Sequence, residues 1–391
     1  MAPADSISCA SIHQSHSNGT HSVPVSLDPD KQLSQTQCKA FISLHERYDN
    51  VFNSKIGKYN DLSGPVRASI NMGPVPPPTH KARLPSYSTD KMNLLQAKMD
   101  ELEELGILAK PENLGVSVEY SSPSFLIKKP DGSHRLVTAF NTIGTYAKPP
   151  PTQSTSVDKV LAFLAGFNYI IKTDMTKQFF QLPMDKNSMK YLGTLTPYKG
   201  MRIYTRAAMG MPGSTEFLDE LMSRVLGDLI EEGIVIKLAD DLYTGGNSIC
   251  ELLHNWERIL HRFELNNLRL SASKTVICPI KTSILGWIWH AGEIKASPHK
   301  IAPLASSKPP TTVKGLRSWL GAYKQLRSCL PQYARITSEL ETATAGQESQ
   351  SIIKWSDSLQ ESFKRAQSAL HNLRSITIPR KDDKLVITND G

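Results

Sequence analysis

The sequence predicts an α+β fold, in which an antiparallel sheet packs on helices. An apolar strand at residues 169–173 is followed by an Asp, and a strand at 234–239 bends through a pair of Asp residues into a return strand. A long amphipathic helix over 213–233 precedes that bend, with apolar residues at intervals of three and four. The order strand, helix, strand, strand, with helices on one face, is typical of α+β proteins and differs from a doubly wound sheet.

The N-terminal part carries weaker signals. Residues 1–35 are rich in Ser, His, Pro, Asp and Gln, and we predict disorder there because so few apolar groups cannot offset the entropy of ordering. A short helix is predicted around Phe41, Leu44 and Tyr48, followed by an extended Pro- and Gly-rich connector. We therefore interpret residues 36–87 as a linker with a short helix.

Periodicity, caps and turn residues predict the remaining elements. In chain order these are a helix from the cap cluster at 88–90 to Gly106, a hairpin of strands 124–129 and 135–140, a helix at 157–164, strand 169–173, helix 213–233, strands 234–239 and 242–244, a helix carrying Leu252, Trp256, Ile259 and Phe263, a hairpin over 282–295 with strand 284–289 turning at 291–292, helices 313–323 and 359–370, and a strand at 384–388.

Bulk properties narrow the class of protein. The formal net charge is +8, which suits a polyanionic partner because each neutralised phosphate releases counterions. The 5 cysteines are dispersed without a CxxC pair, which favours a reducing compartment over a disulfide framework or structural zinc. Since no apolar run approaches the ~20 residues of a membrane span and no signal peptide is visible, we predict an intracellular protein without a membrane partner.

Three carboxylates form the candidate catalytic centre: Asp174, Asp240 and Asp241. If their strands pair antiparallel, the strand end and the two-Asp bend meet at one edge of the sheet. Clustered carboxylates repel unless a cation lies between them, and oxygen ligands without His or Cys favour Mg²⁺, with Mn²⁺ as an alternative. Two such ions would support an in-line displacement of pyrophosphate. Each feature taken alone is more often a solvated turn or a strand cap.

Two segments carry a family resemblance. Residues 171–183, Ile-Lys-Thr-Asp-Met-Thr-Lys-Gln-Phe-Phe-Gln-Leu-Pro, resemble motif A of reverse transcriptases from retroviruses and Ty3-like LTR retrotransposons. Residues 238–241, Leu-Ala-Asp-Asp, correspond to the family's aromatic-x-Asp-Asp motif, with a Leu in the aromatic position. The resemblance implies a right-hand polymerase with fingers, palm and thumb, an antiparallel palm sheet packed on helices, and a C-terminal connection segment.

The resemblance also implies a set of metal ligands and catalytic groups. Asp174 and Asp240 correspond to the main Mg²⁺ ligands, Asp241 assists them, and the backbone carbonyl of Met175 completes the coordination shell. Lys274, in Leu-Ser-Ala-Ser-Lys, corresponds to a lysine that protonates the leaving pyrophosphate; a lone lysine of this kind is more often only a surface residue.

Five residues correspond to the family's nucleotide-binding site. Phe179 matches an aromatic steric gate that clashes with a 2′-OH and so selects deoxynucleotides. Lys129 and Arg135 match a triphosphate-binding pair, with charge and planar fork suited to phosphate oxygens. Met209 and Gly210 match motif B, where glycine lets the backbone approach the templating base pair. A core aromatic, two solvated hairpin charges and an ordinary loop glycine are the alternatives.

A further match concerns the primer and the C-terminal part. Leu285, Gly286 and Trp287 resemble the primer grip, although Trp287 is also interpretable as plain core. The resemblance divides the chain into fingers and palm over 88–296, thumb over 297–345, and connection with the truncated start of a ribonuclease H-like domain over 346–391. Asp390 corresponds to the first catalytic carboxylate of that last domain.

The resemblance implies an RNA-directed DNA polymerase that belongs to a retrotransposon Pol polyprotein. Its partners would be an RNA or DNA template with a primer strand and dNTPs, in cytoplasmic virus-like particles, in the nucleus or in both. Two alternatives remain open. One is a catalytically inactive nucleic-acid-binding remnant that keeps the basic cleft. The other is a template-directed RNA polymerase, against which Phe179 argues.

Overall fold

A computed structural model of the chain describes residues 20–74, 80, 82–148, 150–151 and 155–376. Its helices are α1 Gln35–Arg47, α2 Thr89–Glu104, α3 Pro111–Leu114, α4 Asn141–Gly144, α5 Val157–Ala165, α6 Ser214–Glu231, α7 Ile249–Leu265, α8 Pro298–Ala305, α9 Val313–Lys324, α10 Tyr333–Thr342 and α11 Asp357–Ala369. Its strands are β1 Ser26–Leu27, β2 Leu108–Ala109, β3 Ser124–Lys128, β4 His134–Thr138, β5 Tyr169–Asp174, β6 Gly193–Thr196, β7 Gly200–Tyr204, β8 Val235–Leu238, β9 Asp241–Gly246, β10 Val276–Ile277, β11 Lys281–Ile284, β12 Trp287–His290 and β13 Glu293–Ala296.

A five-stranded sheet in the order β1-β10-β5-β9-β8 forms the centre of the fold. Strand β5 lies antiparallel between β10 and β9, and β8 pairs antiparallel with β9 at one edge. Strand β1 pairs parallel with β10 at the other edge, so one pair departs from the antiparallel pattern. The predicted α+β class is confirmed. Two smaller sheets, β2-β7-β6 and β3-β4, precede and flank the central strands.

Apolar side chains cover both faces of the central sheet. On one face Ile171 and Leu242 join a buried cluster with the inner sides of α6 and α7. On the other face Ile170 and Tyr243 join a second buried cluster with α5, the strands β11 to β13 and the helices α8 to α11. The expectation of helices on one face only is therefore wrong. The amphipathic pattern of α5 and of the C-terminal helices identifies an apolar side without indicating where it docks.

The N-terminal segment is more ordered than the sequence predicts. Residues 1–19 lie outside the described residues, but residues 20–35 contain β1 and the start of α1, so disorder over all of 1–35 is wrong. The carboxylate of Asp49 accepts hydrogen bonds from the backbone of His21 and Ser22, at 3.0 and 2.8 Å. Backbone pairing and one partly buried acceptor, the carboxylate of Asp49, replace the apolar content that this segment lacks.

Residues 36–74 are not a linker, because their apolar side chains are buried. Phe41, Val51 and Tyr59 are at most 2% exposed and belong to the same cluster as α6 and α7. These positions show no single period, since they come from a helix, a 3₁₀ turn and an extended stretch in succession. The predicted connector continues through residues 75–79, which lie outside the described part of the chain.

Two hairpin details differ from the prediction. The strand expected at 284–289 is split by a turn at Leu285 and Gly286, whose φ values are 46° and 79°. Positive φ at both central residues of a two-residue turn matches the twist of the flanking strands. The result is a three-stranded meander, β11-β12-β13, whose second turn lies at the predicted residues 291–292. Strands β6 and β7 had no counterpart in the prediction.

The C-terminal strand at 384–388 and Asp390 lie outside the described residues, so their predicted roles have no structural counterpart here. Within the part of the chain that is described, every helix is too short or too polar to cross a bilayer.

A buried histidine gives the fold a pH dependence. His45 on α1 is 4% exposed and accepts a hydrogen bond from the indole N–H of Trp256 on α7, at 3.0 Å. Burial lowers the pKa of His45 to about 4. In the unfolded chain His45 is protonated near pH 6.5, whereas in the native state it stays neutral until the pH approaches 4. The free energy of unfolding therefore falls as the pH drops from 6.5 towards 4.

We expect roughly 3 kcal/mol of unfolding free energy to be lost through His45 over that window. Urea unfolding at pH 7, 5.5 and 4.5 measures it. A His45→Gln variant keeps an acceptor for Trp256 but has no group that titrates at this position. Its unfolding free energy should therefore lack the loss assigned to His45 over the same pH range. If the unfolding free energies of the two proteins depended on pH in the same way, this histidine would be protonated in the native state as it is in the unfolded chain.

Candidate active site

The end of β5 and the turn between β8 and β9 lie side by side in the central sheet. Asp174, the last residue of β5, is the direct cross-strand partner of Asp241, the first residue of β9. Asp240 lies in the two-residue turn before β9, next to Ala239, whose φ of 51° is left-handed. Cross-strand partners have Cβ atoms about 4.5–5.5 Å apart. The backbone therefore brings the strand end and the two-Asp bend together at one edge of the sheet.

Asp174 is the most buried of the three carboxylates, at 6% exposure. Its Oδ2 accepts a hydrogen bond from the ammonium group of Lys274, which follows α7 in the chain. Burial raises the pKa of Asp174; Lys274 opposes this effect, and the charges of Asp241 and Asp240 add to it. Because the effect of burial outweighs that of Lys274 and the pKa of Asp174 is raised, the charged form of this carboxyl is disfavoured, and a further cation would stabilise it.

The other two carboxylates have separate partners. Asp240 accepts a hydrogen bond from the side-chain amide of Gln178. The Oδ2 atom of Asp241 accepts one from the hydroxyl of Tyr243 at 2.9 Å and lies 3.1 Å from Nζ of Lys172. In this arrangement no three His, Cys, Asp or Glu side chains among the described residues are disposed to hold one metal ion. Binding a shared ion therefore requires rotation of at least one of the three carboxylate side chains.

The backbone carbonyl of Met175 points towards the same edge. Met175 forms an antiparallel bridge with Leu270, which two hydrogen bonds flank. Ser271 N–H donates to the carbonyl oxygen of Asp174 at 2.7 Å, and Thr176 N–H donates to the carbonyl oxygen of Arg269 at 3.1 Å. In this narrow type of pair the N–H and C=O of the central residue point away from the partner strand. The Met175 carbonyl is thus directed to the side of β9, where Asp241 begins.

The donor set fits a hard divalent cation. It consists of three carboxylates and one backbone carbonyl, without a sulfur or imidazole ligand, which is the preference of Mg²⁺ and Mn²⁺ rather than zinc. Asp174, Met175, Asp240 and Asp241 are the residues that would hold the ion.

A cleft of about 530 Å³ opens beside these carboxylates and gathers most of the predicted site. From the prediction it collects eight side chains, which are Lys129, Arg135, Asp174, Met175, Phe179, Met209, Asp240 and Lys274. Asp241 and Gly210 adjoin lining residues without lining the cleft themselves, and the predicted primer grip at 285–287 lies elsewhere. Lys98 and Glu101 of α2 complete one wall.

One side of the cleft is formed by the β3-β4 hairpin. Lys129 follows β3, and its N–H donates to the carbonyl of Ser133 across the turn at 2.8 Å. Arg135 on β4 contacts the sulfur of Met209. Both cationic residues therefore line the same cleft as Asp174 and Asp240. Gly210 has a φ of 78°, which explains the glycine by backbone conformation, and a Cβ there would meet no neighbour within 4 Å.

Phe179 lies in a short 3₁₀ helix, Gln178–Gln181, immediately after the Asp174 segment. Its ring is half-buried against the first cluster while lining the cleft. Lys177, with a φ of 44°, turns the chain just before it. This local geometry puts an aromatic ring within the same cleft as Asp174.

The residues predicted as primer grip form the exposed tip of the β11-β12 turn. Leu285 is 51% exposed, whereas Trp287 is buried beneath it with Nζ of Lys300 4.6 Å from its ring centroid. Leu285 and Trp287 line a second cleft, of about 460 Å³, together with Lys324 of α9 and Arg327. Trp287 is therefore both a core residue and the support of the turn.

Residues 127–289 match the sequence profile of the family described as reverse transcriptase (RNA-dependent DNA polymerase). The chain carries a reverse transcriptase domain. The matched range contains the hairpin tip with Lys129, the three carboxylates, Lys274 and the turn at 285–286. The residues before 127 and after 289 lie outside the match.

The reverse transcriptase domain is similar to parts of Pol polyproteins, as the family resemblance predicts. The retrovirus-related Pol polyprotein from transposon opus of Drosophila melanogaster is 24% identical over 265 residues, 66% of this chain and 26% of that protein. The polyprotein from transposon 297 of the same fly is 23% identical over 319 residues, 80% and 29% respectively. The Gag-Pol polyprotein of woolly monkey sarcoma virus is 24% identical over 281 residues, 68% and 16%. The chain spans less than a third of the length of these relatives.

Solved structures agree on the fold. The foamy viral protease-reverse transcriptase dRH in complex with double-stranded DNA superimposes with a TM-score of 0.71 at 19% identity, covering 90% of this chain and 59% of that one. The foamy viral protease-reverse transcriptase in complex with an RNA/DNA hybrid gives a TM-score of 0.65 at 19% identity, covering 88% and 45%. The predicted right-hand polymerase fold is confirmed.

Two glutamines of the reverse transcriptase domain were missed by the sequence reasoning. Gln178 is 5% exposed and hydrogen-bonded to Asp240. Gln181 is fully buried, and its amide nitrogen donates to the carbonyls of Thr176 and Arg269 at 2.7 and 2.9 Å. Gln181 thus ties the loop after Asp174 to the segment after α7. The sequence feature that could have indicated them is a polar residue on each side of a Phe-Phe pair within an apolar segment.

Proposed function

We propose that the chain is the polymerase portion of a retrotransposon Pol polyprotein and extends a primer 3′-OH with dNTPs on an RNA or DNA template. The observation that carries the proposal is the pairing of Asp174 with Asp241, beside Asp240, at the edge of a cleft that Lys129 and Arg135 also line. Carboxylates and cationic side chains lining one cleft suit a substrate that brings both a metal-binding triphosphate and anionic oxygens.

Asp174, Asp240, Asp241 and the Met175 carbonyl would hold Mg²⁺, and two ions are proposed. When bound, the ions would supply activation of the primer hydroxyl and charge stabilisation at the leaving pyrophosphate. Mn²⁺ has the same oxygen preference and is expected to substitute.

The other cleft residues bind and orient the substrate. Lys129 and Arg135 bind the triphosphate, as a compact charge and a planar fork respectively. Phe179 contacts the sugar and excludes a nucleotide that carries a 2′-OH. Met209 and Gly210 border the position of the base pair being formed. Because these side chains come from separate elements, they define a nucleotide orientation that no single element fixes.

Two further groups act on the ends of the reaction. Lys274 carries protons at Nζ and lies at the cleft in contact with Asp174, so it is the donor we assign to the leaving pyrophosphate. The exposed turn of Leu285 and Gly286, supported by Trp287, is the part we assign to the primer strand. The site of action would be intracellular, in a cytoplasmic particle or the nucleus.

A primer-extension assay tests the proposal. The full chain is given a DNA primer on an RNA template or on a DNA template, with Mg²⁺ and complementary dNTPs. We expect template-directed extension by the wild type and by Glu231→Gln, an exposed carboxylate change at the end of α6, and none by Asp240→Asn. Equal extension by Asp240→Asn, or no extension by any of the three proteins with Mg²⁺ or Mn²⁺, would refute the assignment.

A catalytically inactive nucleic-acid-binding remnant is the second candidate. Its support is that each carboxylate has a donor of its own and that no described trio is arranged around a metal position. This candidate predicts salt-sensitive binding of a template-primer duplex, since phosphate contacts release counterions, together with no incorporation at any Mg²⁺ or Mn²⁺ concentration. The same assay therefore separates the two.

A further inference from the structure

The second carboxylate of the Asp-Asp pair is anchored through one oxygen only. Both of its contacts, the hydroxyl of Tyr243 at 2.9 Å and Nζ of Lys172 at 3.1 Å, fall on Oδ2 of Asp241. Oδ1 has no hydrogen-bond or ion-pair partner among the described residues. A carboxylate held in this way has a fixed rotation about its side-chain bonds and one oxygen left for another ligand.

The sheet register produces this arrangement. Lys172 is the cross-strand partner of Tyr243, and Asp174 is the cross-strand partner of Asp241. Residues two apart on a strand share a face, so all four side chains lie on the face of the sheet that carries the second cluster. Lys172 and Tyr243 therefore form the next pair on this face of the sheet after Asp174 and Asp241, on the side away from the β8-β9 turn.

The two anchors differ in rigidity and charge. Tyr243 is fully buried in the second cluster, so its hydroxyl has a fixed position. Lys172 and Asp241 have side chains that are 25% and 23% exposed, and Nζ of Lys172 also lies 5.8 Å from the ring centroid of Tyr243. The buried hydroxyl of Tyr243 orients the carboxylate of Asp241. The partly hydrated ammonium of Lys172 places a positive charge beside that carboxylate, which a metal ion would otherwise provide.

We propose that Tyr243 and Lys172 are positioning residues that hold Asp241 by Oδ2 and present Oδ1 to the divalent cation of the polymerase site. Tyr243 orients the carboxylate, and Lys172 competes with the cation for its charge, which limits metal affinity. Neither residue touches the reacting atoms. This inference rests on the proposed function, because the cation it concerns is the one assigned to Asp174, Asp240 and Asp241.

Mn²⁺ binding, measured by electron paramagnetic resonance on the full chain, tests the two roles separately from activity. Tyr243→Phe removes only the hydroxyl, and we expect Mn²⁺ affinity to fall about tenfold, the size of a hydrogen bond to a charged group. Lys172→Met removes a competing charge while keeping the apolar stem, and we expect affinity to rise roughly fivefold. In primer extension both variants should shift the Mn²⁺ concentration at half-maximal rate in the same directions.

Two matched variants control for indirect effects. Tyr323→Phe removes another buried hydroxyl, which donates to the Ala366 carbonyl at 2.9 Å in the second cluster. Lys190→Met removes an ammonium that pairs with Glu119 at 3.1 Å and lies 5.0 Å from the ring of Tyr191. Both should leave Mn²⁺ affinity unchanged, and thermal unfolding in metal-free buffer reports whether each variant is folded.

The outcomes separate the inference from the proposed function. If the wild type neither binds Mn²⁺ nor extends a primer, the proposed function fails. If the wild type does both and Tyr243→Phe binds Mn²⁺ within twofold of it, the assignment of Tyr243 is overturned. A folded Lys172→Met variant with unchanged or weaker affinity overturns the role of Lys172. Should Tyr243→Phe not fold, Tyr243→Trp, which keeps an aromatic and lacks the hydroxyl, takes its place under the same criterion.

Discussion

An Asp174→Asn variant should lose template-directed DNA synthesis by about 10²- to 10³-fold, since removing one preorganised electrostatic contact at a reacting centre costs about 3–4 kcal/mol. Asn keeps the shape and one oxygen but loses the charge that balances the cation. Single-nucleotide incorporation on a defined template-primer, at saturating Mg²⁺ and dNTP, measures the effect. Raising Mg²⁺ or exchanging it for Mn²⁺ should restore only a small part of the rate.

The same variant should be no less stable than the wild type in metal-free buffer. Burial raises the pKa of Asp174, so at neutral pH the charged carboxylate works against the folded state. Replacing it with a neutral isostere removes that cost, while Lys274 is 65% exposed and remains solvated. Thermal unfolding checks this. Loss of activity with loss of the cooperative transition would instead indicate a structural role for Asp174.

A Phe179→Ala variant should accept ribonucleotides better, with the ratio of dNTP to rNTP incorporation falling by roughly two orders of magnitude, the range over which a pocket wall rejects a small added group. The effect should lie in rNTP use, because the ring is proposed to clash with the 2′-OH and not to bind the base. Phe179→Leu, which keeps part of the bulk, should give an intermediate ratio.

Phe180 provides the matched comparison for this gate. It is the next residue of the same 3₁₀ helix, lines the same cleft and is also half-buried. Phe180→Ala should change stability and overall rate without changing the sugar ratio. If Phe180→Ala relaxes the ratio and Phe179→Ala does not, the gate has been assigned to the wrong ring.

The fold was readable from the sequence wherever a local pattern determines the structure. The apolar period of α6 and the strand that ends at Asp174 each follow from a few neighbouring residues. The bend predicted at Asp240 and Asp241 lies one residue earlier, at Ala239 and Asp240, because Asp241 pairs with Leu238 as the first residue of β9. Cross-strand pairing of Asp174 with Asp241 then follows from antiparallel neighbours in one sheet. The cleft likewise gathers most of the side chains that the family resemblance implies.

Other features depend on contacts between distant segments, which a single sequence does not specify. Residues 36–74 form part of a core because they contact α7, where Trp256 donates a hydrogen bond to His45. They show no apolar periodicity of their own. Strand β1 is ordered by β10, which lies 250 residues further along the chain. Lys172 and Tyr243 read as an ordinary strand residue and a core aromatic until the register brings both to Asp241.

Cleavage of the backbone by a bound metal ion tests most directly whether the three carboxylates form one site. Fe²⁺ takes Mg²⁺ positions in oxygen-ligand sites, and with ascorbate and peroxide it cuts the nearby chain. The account predicts cuts near both residue 174 and residues 240–241, suppressed together by excess Mg²⁺ and lost together in Asp174→Asn. Cuts at only one of the two segments, or cuts that persist in Asp174→Asn, would contradict it.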